Sequence, residues 1–219
     1  MKRKTKIQLS LGAALLALFV LFTLSLNYVD LQPVGPNGSY VAYGSLNKAA
    51  HEFLGVNALL YHITDWAGVA AILIAMGFAV LGLIQWIKRK HILQVDGSLL
   101  LLGLFYILVF GVYVFFEFHV INRRPVLING ILEASYPSST TMLAMCVLPT
   151  AMTQLHGRIR KPKIRWGVSC LLGLFTAFMV LGRLLCGAHW LTDILGGLLF
   201  SSGMVLLYLG ACGRFYFVC

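Results

Sequence analysis

GSLLLLGLFYILVFGVYVFF, residues 97–116, decides the class of this protein. The stretch carries no charged side chain, and it is long enough to cross the hydrocarbon core of a bilayer, which takes about 20 mostly apolar residues as a helix. A helix on a soluble core would show a polar stripe at helical period, and none is present. Five further stretches of this kind lie around it, at 7–26, 67–87, 139–154, 166–182 and 190–210. The fourth span, 139–154, is the shortest and most polar and contains Pro149.

Composition agrees. Of 219 residues, 59% are apolar and 11% charged, far from a soluble domain, where about a quarter are charged. The expectation is an all-α polytopic membrane protein of six transmembrane helices, a single membrane domain over 1–219. The basic run Lys2, Arg3, Lys4, Lys6 also suits a signal peptide, but the following apolar stretch is long for one and no small-x-small cleavage site follows it, so an uncleaved span is expected. Five cysteines, Cys146, Cys170, Cys186, Cys212 and Cys219, lie in or beside apolar runs and read as small packing residues. Trp66, Trp86, Trp166 and Trp190 fall near span ends, as in an aromatic belt.

The net charge of +10 argues for membrane topology and against nucleic acid, because the cations sit in short runs between apolar stretches. With the N-terminus in the cytoplasm, segments 1–6, 88–97, 155–165 and 211–219 hold thirteen of the seventeen Lys and Arg residues. This asymmetry places both termini and the basic loops inside. The four exceptions, Lys48, Arg123, Arg124 and Arg183, fall outside. The longest outer stretch, 27–66, opens with turn-formers and then offers, over 46–62, either an interfacial helix or a plain loop.

Charges at the outer ends of spans are costly unless paired or wetted, and mark function. They gather in FFEFHVINRRPV (115–126) with EASYPSSTT (133–141), and in GRLLCGAHWLTD (182–193). Topology brings Arg124, Ser138, Arg183, His189 and Asp193 to one face. His189 and Asp193, four apart, allow a carboxylate to fix one imidazole nitrogen and free the other as a nucleophile or base. Arginines grip phosphate oxygens in a forked geometry, and Ser138 and Ser139 open a helix whose N–H groups attract an anion. Taken singly, these are ordinary caps and anchors. Taken together, they describe a phosphate pocket with a nucleophilic histidine.

These residues resemble the type 2 phosphatidic acid phosphatases, which share their core with vanadium haloperoxidases. The family pattern is Lys, six residues, Arg-Pro; then Pro-Ser-Gly-His; then Ser-Arg, five residues, His, three residues, Asp. Its third part is matched by Arg183, His189 and Asp193 with both spacings kept, and Gly182 replaces the leading Ser. The first part is matched by Arg124-Pro125, with Glu117 in place of Lys. The second is matched by Pro137-Ser138, with Ser139 and Thr140 in place of Gly and His.

The resemblance covers about 117–193 and implies a phosphatase-like helical core formed by spans three to six. It implies His189 as the nucleophile forming a phosphohistidine and Asp193 as its partner. Arg124, Arg183, Ser138 and Ser139 would hold the phosphoryl group, with no metal and no cofactor. Thr140 cannot protonate a leaving group near neutral pH, so Glu117, His119 or Arg123 are candidates to compensate for the departures. Three readings follow: a lipid phosphatase with a substitute acid, one acting on a lipid diphosphate such as undecaprenyl diphosphate, or a lipid-phosphate-binding protein without turnover. A small transporter is the reading from another class, disfavoured because the mid-spans carry almost no charge. The expected partners are a lipid phosphate substrate and membrane lipid. Gly196-Gly197 would allow close helix approach within one chain or in a homo-oligomer.

Overall fold

The computed structural model describes residues 3–213; Lys2, Arg214 and Cys219 lie outside the described residues. The described chain is helical: α1 (Arg3–Ser25), α2 (Gly44–Leu54), α3 (Ala58–Arg89), α4 (Gly97–Phe118), α5 (Ser139–Arg158), α6 (Pro162–Leu185) and α7 (Leu191–Cys212). Five of them, α1, α3, α4, α6 and α7, are long and apolar enough to cross a membrane. Their outer faces carry bare apolar side chains such as Leu21, Leu73, Ile107 and Leu171, as lipid contact requires. The protein is a multi-pass membrane protein.

The fourth expected span, α5, is 20 residues long but too polar to count among the five. Its position explains its composition. It packs against α3, α4, α6 and α7, so its hydroxyls find partners in protein instead of lipid. Thr150 Oγ1 bonds Cys146 O at 2.7 Å and Tyr106 OH at 3.1 Å. Thr153 Oγ1 bonds Pro149 O at 3.0 Å.

Two sequence expectations change around 46–67. Residues Gly44–Leu54 do form a helix, but it is anchored to the start of α7 through buried Asn47, whose Nδ2 bonds Thr192 Oγ1 at 2.9 Å. The second span then begins at Ala58, nine residues before the expected start, because Asn57 caps it by accepting from Leu60 N at 2.9 Å. Tyr61, His62 and Asp65 interrupt the apolar run and hid those first turns. At 32 residues, α3 is about 48 Å long, so its polar first turns extend past the bilayer core.

Trp190 is a further correction. Instead of sitting in a belt it is buried, with Nε1 donating to Arg123 O at 2.7 Å. Cys146, Cys186 and Cys212 are buried, whereas Cys170 is exposed. The first and last helices lie side by side. Gly12 and Gly203 face each other, and a Cβ on Gly12 would come within 2.9 Å of Gly203 O. The ends of α1, α4 and α6 and the starts of α3, α5 and α7 meet at one end of the bundle, over an aromatic core of Phe19, Phe116, Tyr136 and Phe200.

Candidate active site

His189 lies in the short connection between α6 and α7 and is 4% exposed. Its Nε2 is 3.2 Å from Arg183 Nη2. A guanidinium only donates, so Nε2 accepts and the ring proton is assigned to Nδ1. Nδ1 in turn faces Ser135, 3.1 Å from its Oγ and 3.2 Å from its carbonyl oxygen. Burial first, and then the charges of Arg124 and Arg183, hold the His189 imidazolium well below the ordinary pKa. The ring is therefore neutral near pH 7, with Nε2 carrying the lone pair.

Asp193 supports this arrangement at one remove. Its Oδ2 is 3.9 Å from His189 Nδ1, beyond hydrogen-bond length. Ser135 bridges the gap by donating its hydroxyl to Oδ2 at 2.5 Å. Asp193 also accepts from Trp190 N at 2.9 Å, which caps α7, and from Asn122 Nδ2 at 3.3 Å. Sequence reading singled out neither Ser135 nor Asn122. The missed signal is Asn129-Gly130, a hairpin dipeptide. Both residues have positive φ, and Ile128 and Ile131 exchange backbone bonds of 3.0 and 2.9 Å across them. The chain thereby folds back so that Arg124 N bonds Glu133 O at 3.1 Å and Ser135 N bonds Asn122 O at 2.9 Å.

The charges of two buried arginines act on the imidazole. Arg183 is fully buried. Three residues from the first turns of α3 address it: the Tyr61 ring, 4.9 Å from Cζ; Thr64 Oγ1, 3.4 Å from Nη1; and Asp65 Oδ1, 3.7 Å from Nη1. Gly182 has a packing reason here, because a Cβ would lie 2.5 Å from the Thr64 methyl. Arg124 is also buried and pairs with Glu133, Nε to Oε2, at 3.1 Å. Arg124 Nη1 and Arg183 Nε have no hydrogen-bond partner. A buried unmet donor costs about 1–3 kcal/mol, more when charged. Two such cations beside a neutral ring make a site that an anion with several acceptor oxygens would complete.

The other sequence candidates divide. Ser138 is the N-cap of α5: its Oγ accepts from Thr141 N at 3.4 Å, and its own N–H donates to Asp193 O at 3.1 Å. Ser139 and Glu117 line a small cavity with Ser135 and His189. Thr140 packs towards α3, its methyl 3.8 Å from where a Cβ on Gly68 would stand. Arg123 is exposed and held by Leu132 O at 2.9 Å. His119 stacks on Phe115 at 4.2 Å and bonds its carbonyl. Neither of these two is brought to the imidazole. Gly196 and Gly197 serve contacts within the chain: the Tyr136 ring and the Ser138 carbonyl fill the space a Cβ would need, at 2.4 and 3.3 Å.

A sequence model of the PAP2 superfamily matches residues 105–214, just over half of the chain and all of this site except the α3 contributions. The chain belongs to the PAP2 superfamily. Among solved structures, a transmembrane PAP2-type phosphatidylglycerolphosphate phosphatase from Bacillus subtilis is similar, at TM-score 0.59 and 22% identity, over 94% of this chain and 96% of that one. That likeness shows a shared fold. Among curated proteins none matches. PAP2 membership supports phosphatase chemistry in general, which a buried arginine pair and a neutral imidazole suit.

Proposed function

We propose that the protein is a lipid phosphatase acting at the outer membrane face through a phosphohistidine on His189. The observation that supports this best is an unprotonated Nε2 facing buried Arg183, with a second buried, incompletely bonded guanidinium, Arg124, close enough for its charge to act on the ring. In this reading Arg124 and Arg183 hold the phosphoryl oxygens, with Ser138 and Ser139 at the start of α5 beside them. The lone pair of Nε2 attacks phosphorus, and Asp193, through Ser135, stabilises the positive ring that results. Preorganised charge of this kind is the usual main term in phosphoryl transfer.

The orientation rests on Lys4, Lys6, Lys88, Arg89, Lys90 and the 155–165 segment, all at the opposite end of the bundle and assigned inside by their charge. Thr140 favours a substrate whose leaving group needs little protonation. A lipid diphosphate, such as undecaprenyl diphosphate, expels a phosphate monoester and meets that condition. Glu117, in the same small cavity as His189, is the candidate to assist a lipid phosphate monoester such as phosphatidylglycerolphosphate, which the Bacillus subtilis protein is named for.

The test is phosphate release by the purified protein from a panel holding polyprenyl diphosphate, phosphatidylglycerolphosphate and phosphatidic acid. Release is expected to be greatest on the diphosphate, to be blocked by vanadate and to vanish in His189→Ala. No release from any of the panel would sink the proposal.

A further inference from the structure

We infer that Asp65, which lies in none of the sequence motifs and outside the family match, is the base that activates water for the second half-reaction. The inference rests on the proposal that His189 is the nucleophile. Once a phosphoryl group sits on Nε2, turnover requires a water oxygen to attack phosphorus and lose a proton. Four carboxylates lie around the site; two are committed to other groups, and a third lines the cavity on the side of Ser135, which faces Nδ1. Asp193 is fully buried and held by Ser135, Trp190 and Asn122. Glu133 holds Arg124. Glu117 enters the cavity from α4, on the side of Ser135 and Ser139.

Asp65 differs from these three. Arg183 turns one terminal nitrogen to His189 Nε2, at 3.2 Å, and the other to Asp65 Oδ1, at 3.7 Å. A phosphoryl group on Nε2, gripped by that guanidinium, therefore stands within one guanidinium's width of the carboxylate. The Asp65 side chain is 56% exposed while that of Arg183 is 1% exposed, so the carboxylate is where solvent meets the buried cation. At 3.7 Å the ion pair is too long to be a hydrogen bond. Arg183 is already oriented from the same helix by Thr64 and Tyr61. Thr140, which stands where the family pattern has an imidazole, packs at Gly68, one helical turn along the same face from Asp65.

In the step itself, the water oxygen bonds to phosphorus as one of its protons passes to the Asp65 carboxylate. The P–N bond breaks and its electron pair returns to Nε2, restoring the neutral ring. The products are hydrogen phosphate and a protonated Asp65, which then loses its proton to bulk water.

The experiment uses the full-length protein in detergent with polyprenyl diphosphate and phosphatidic acid, each carrying ³²P in the terminal phosphate. Asp65→Asn is expected to become labelled to about one phosphate per chain, in an acid-labile, base-stable form. Its steady-state phosphate release should fall about 10²- to 10⁴-fold, the range for a lost general base. Adding His189→Ala should remove the label. Release at the wild-type rate by Asp65→Asn would overturn the assignment, as would accumulation of label in Glu117→Gln instead. If Asp65→Asn is unstable, Asp65→Glu decides: slower release with unchanged labelling supports the base. Unchanged release, or equal slowing of both steps, overturns it. If the wild-type chain neither labels nor releases phosphate, the phosphatase reading itself fails and takes this inference with it.

Discussion

The two ends of the bundle treat their arginines in opposite ways. At the end away from His189, Arg89 and Arg158 converge on Asp96, at 3.1 and 3.7 Å, and each also donates to a carbonyl, Arg89 to Gln94 O and Arg158 to Gln154 O. Gln85 completes the cluster, giving 2.8 Å to Asp96 Oδ2 and taking 2.9 Å from Asp96 N. Partial burial works against the Asp96 carboxylate, but the bonds from Gln85 and Arg89 and the two cations outweigh it and keep its pKa below the ordinary value. These cations are partly exposed and partnered. At the other end, Arg124 and Arg183 are buried and short of acceptors. Satisfied charge ties helices together, whereas unsatisfied buried charge awaits an anion. The contrast marks the candidate site more sharply than the presence of arginine at either end.

The largest way to break this contrast is Arg124→Gln. Loss of one preorganised donor to a phosphoryl group should lower kcat/KM about 10²- to 10³-fold. It should also move the acid limb of the pH–rate profile. In the proposed mechanism His189 must be neutral to attack, and nearby positive charge disfavours its protonation, so the wild-type limb should lie below the ordinary imidazole value of about 6.5. Removing the Arg124 charge removes one cause of that depression, and the limb should shift upward. A limb that stays in place would mean that His189 does not set it.

Ser135→Ala is intermediate. It deletes the bridge to Asp193 while leaving the Ser135 carbonyl as an acceptor for Nδ1. A hydrogen bond to a charged group contributes about 1.5–3 kcal/mol, so kcat should fall about 10- to 100-fold with KM little changed. Ser135→Thr should recover part of the loss. Equal kinetics in Ser135→Ala and wild type would show that the bridge carries nothing in turnover.

Smallest is Asp96→Asn, at the satisfied end. The melting temperature should drop by a few degrees for a loss of about 1 kcal/mol. Phosphate release per folded molecule should be unchanged. A loss of activity larger than the loss of folded protein would break the division between the two ends.

Much of the candidate site was legible in the sequence, because motif spacing and charge asymmetry together pointed to Arg124, Arg183, His189 and Asp193 meeting at one end. Helix class and most span positions followed from apolar runs. What escaped had a common physical origin: polar residues whose roles depend on long-range packing. Ser135 became informative only once the Asn129-Gly130 turn folded it back, although that dipeptide was readable. The first turns of α3 carry Tyr61, Thr64 and Asp65, which look like loop by hydropathy and are helix by virtue of the Asn57 cap. Asn47 and Asn122 gave no local signal, since their partners lie 145 and 71 residues away. Helix α5 is the most polar of the expected spans for the same reason, as its polar groups are met by neighbouring helices.

The pairing of α1 with α7 has a consequence for how the protein comes into being. Thr23, near the end of α1, bonds the Tyr136 hydroxyl at 2.7 Å, and Tyr136 seats its ring against Gly196 of α7. Helices α1 and α7 thus clamp, between them, the residue next to Ser135. A nascent chain can thread most of its helices into the bilayer and still lack a seated Ser135 until translation reaches α7. Under the proposed function, activity would then wait for α7, and a chain halted before it would be silent towards the lipids around it.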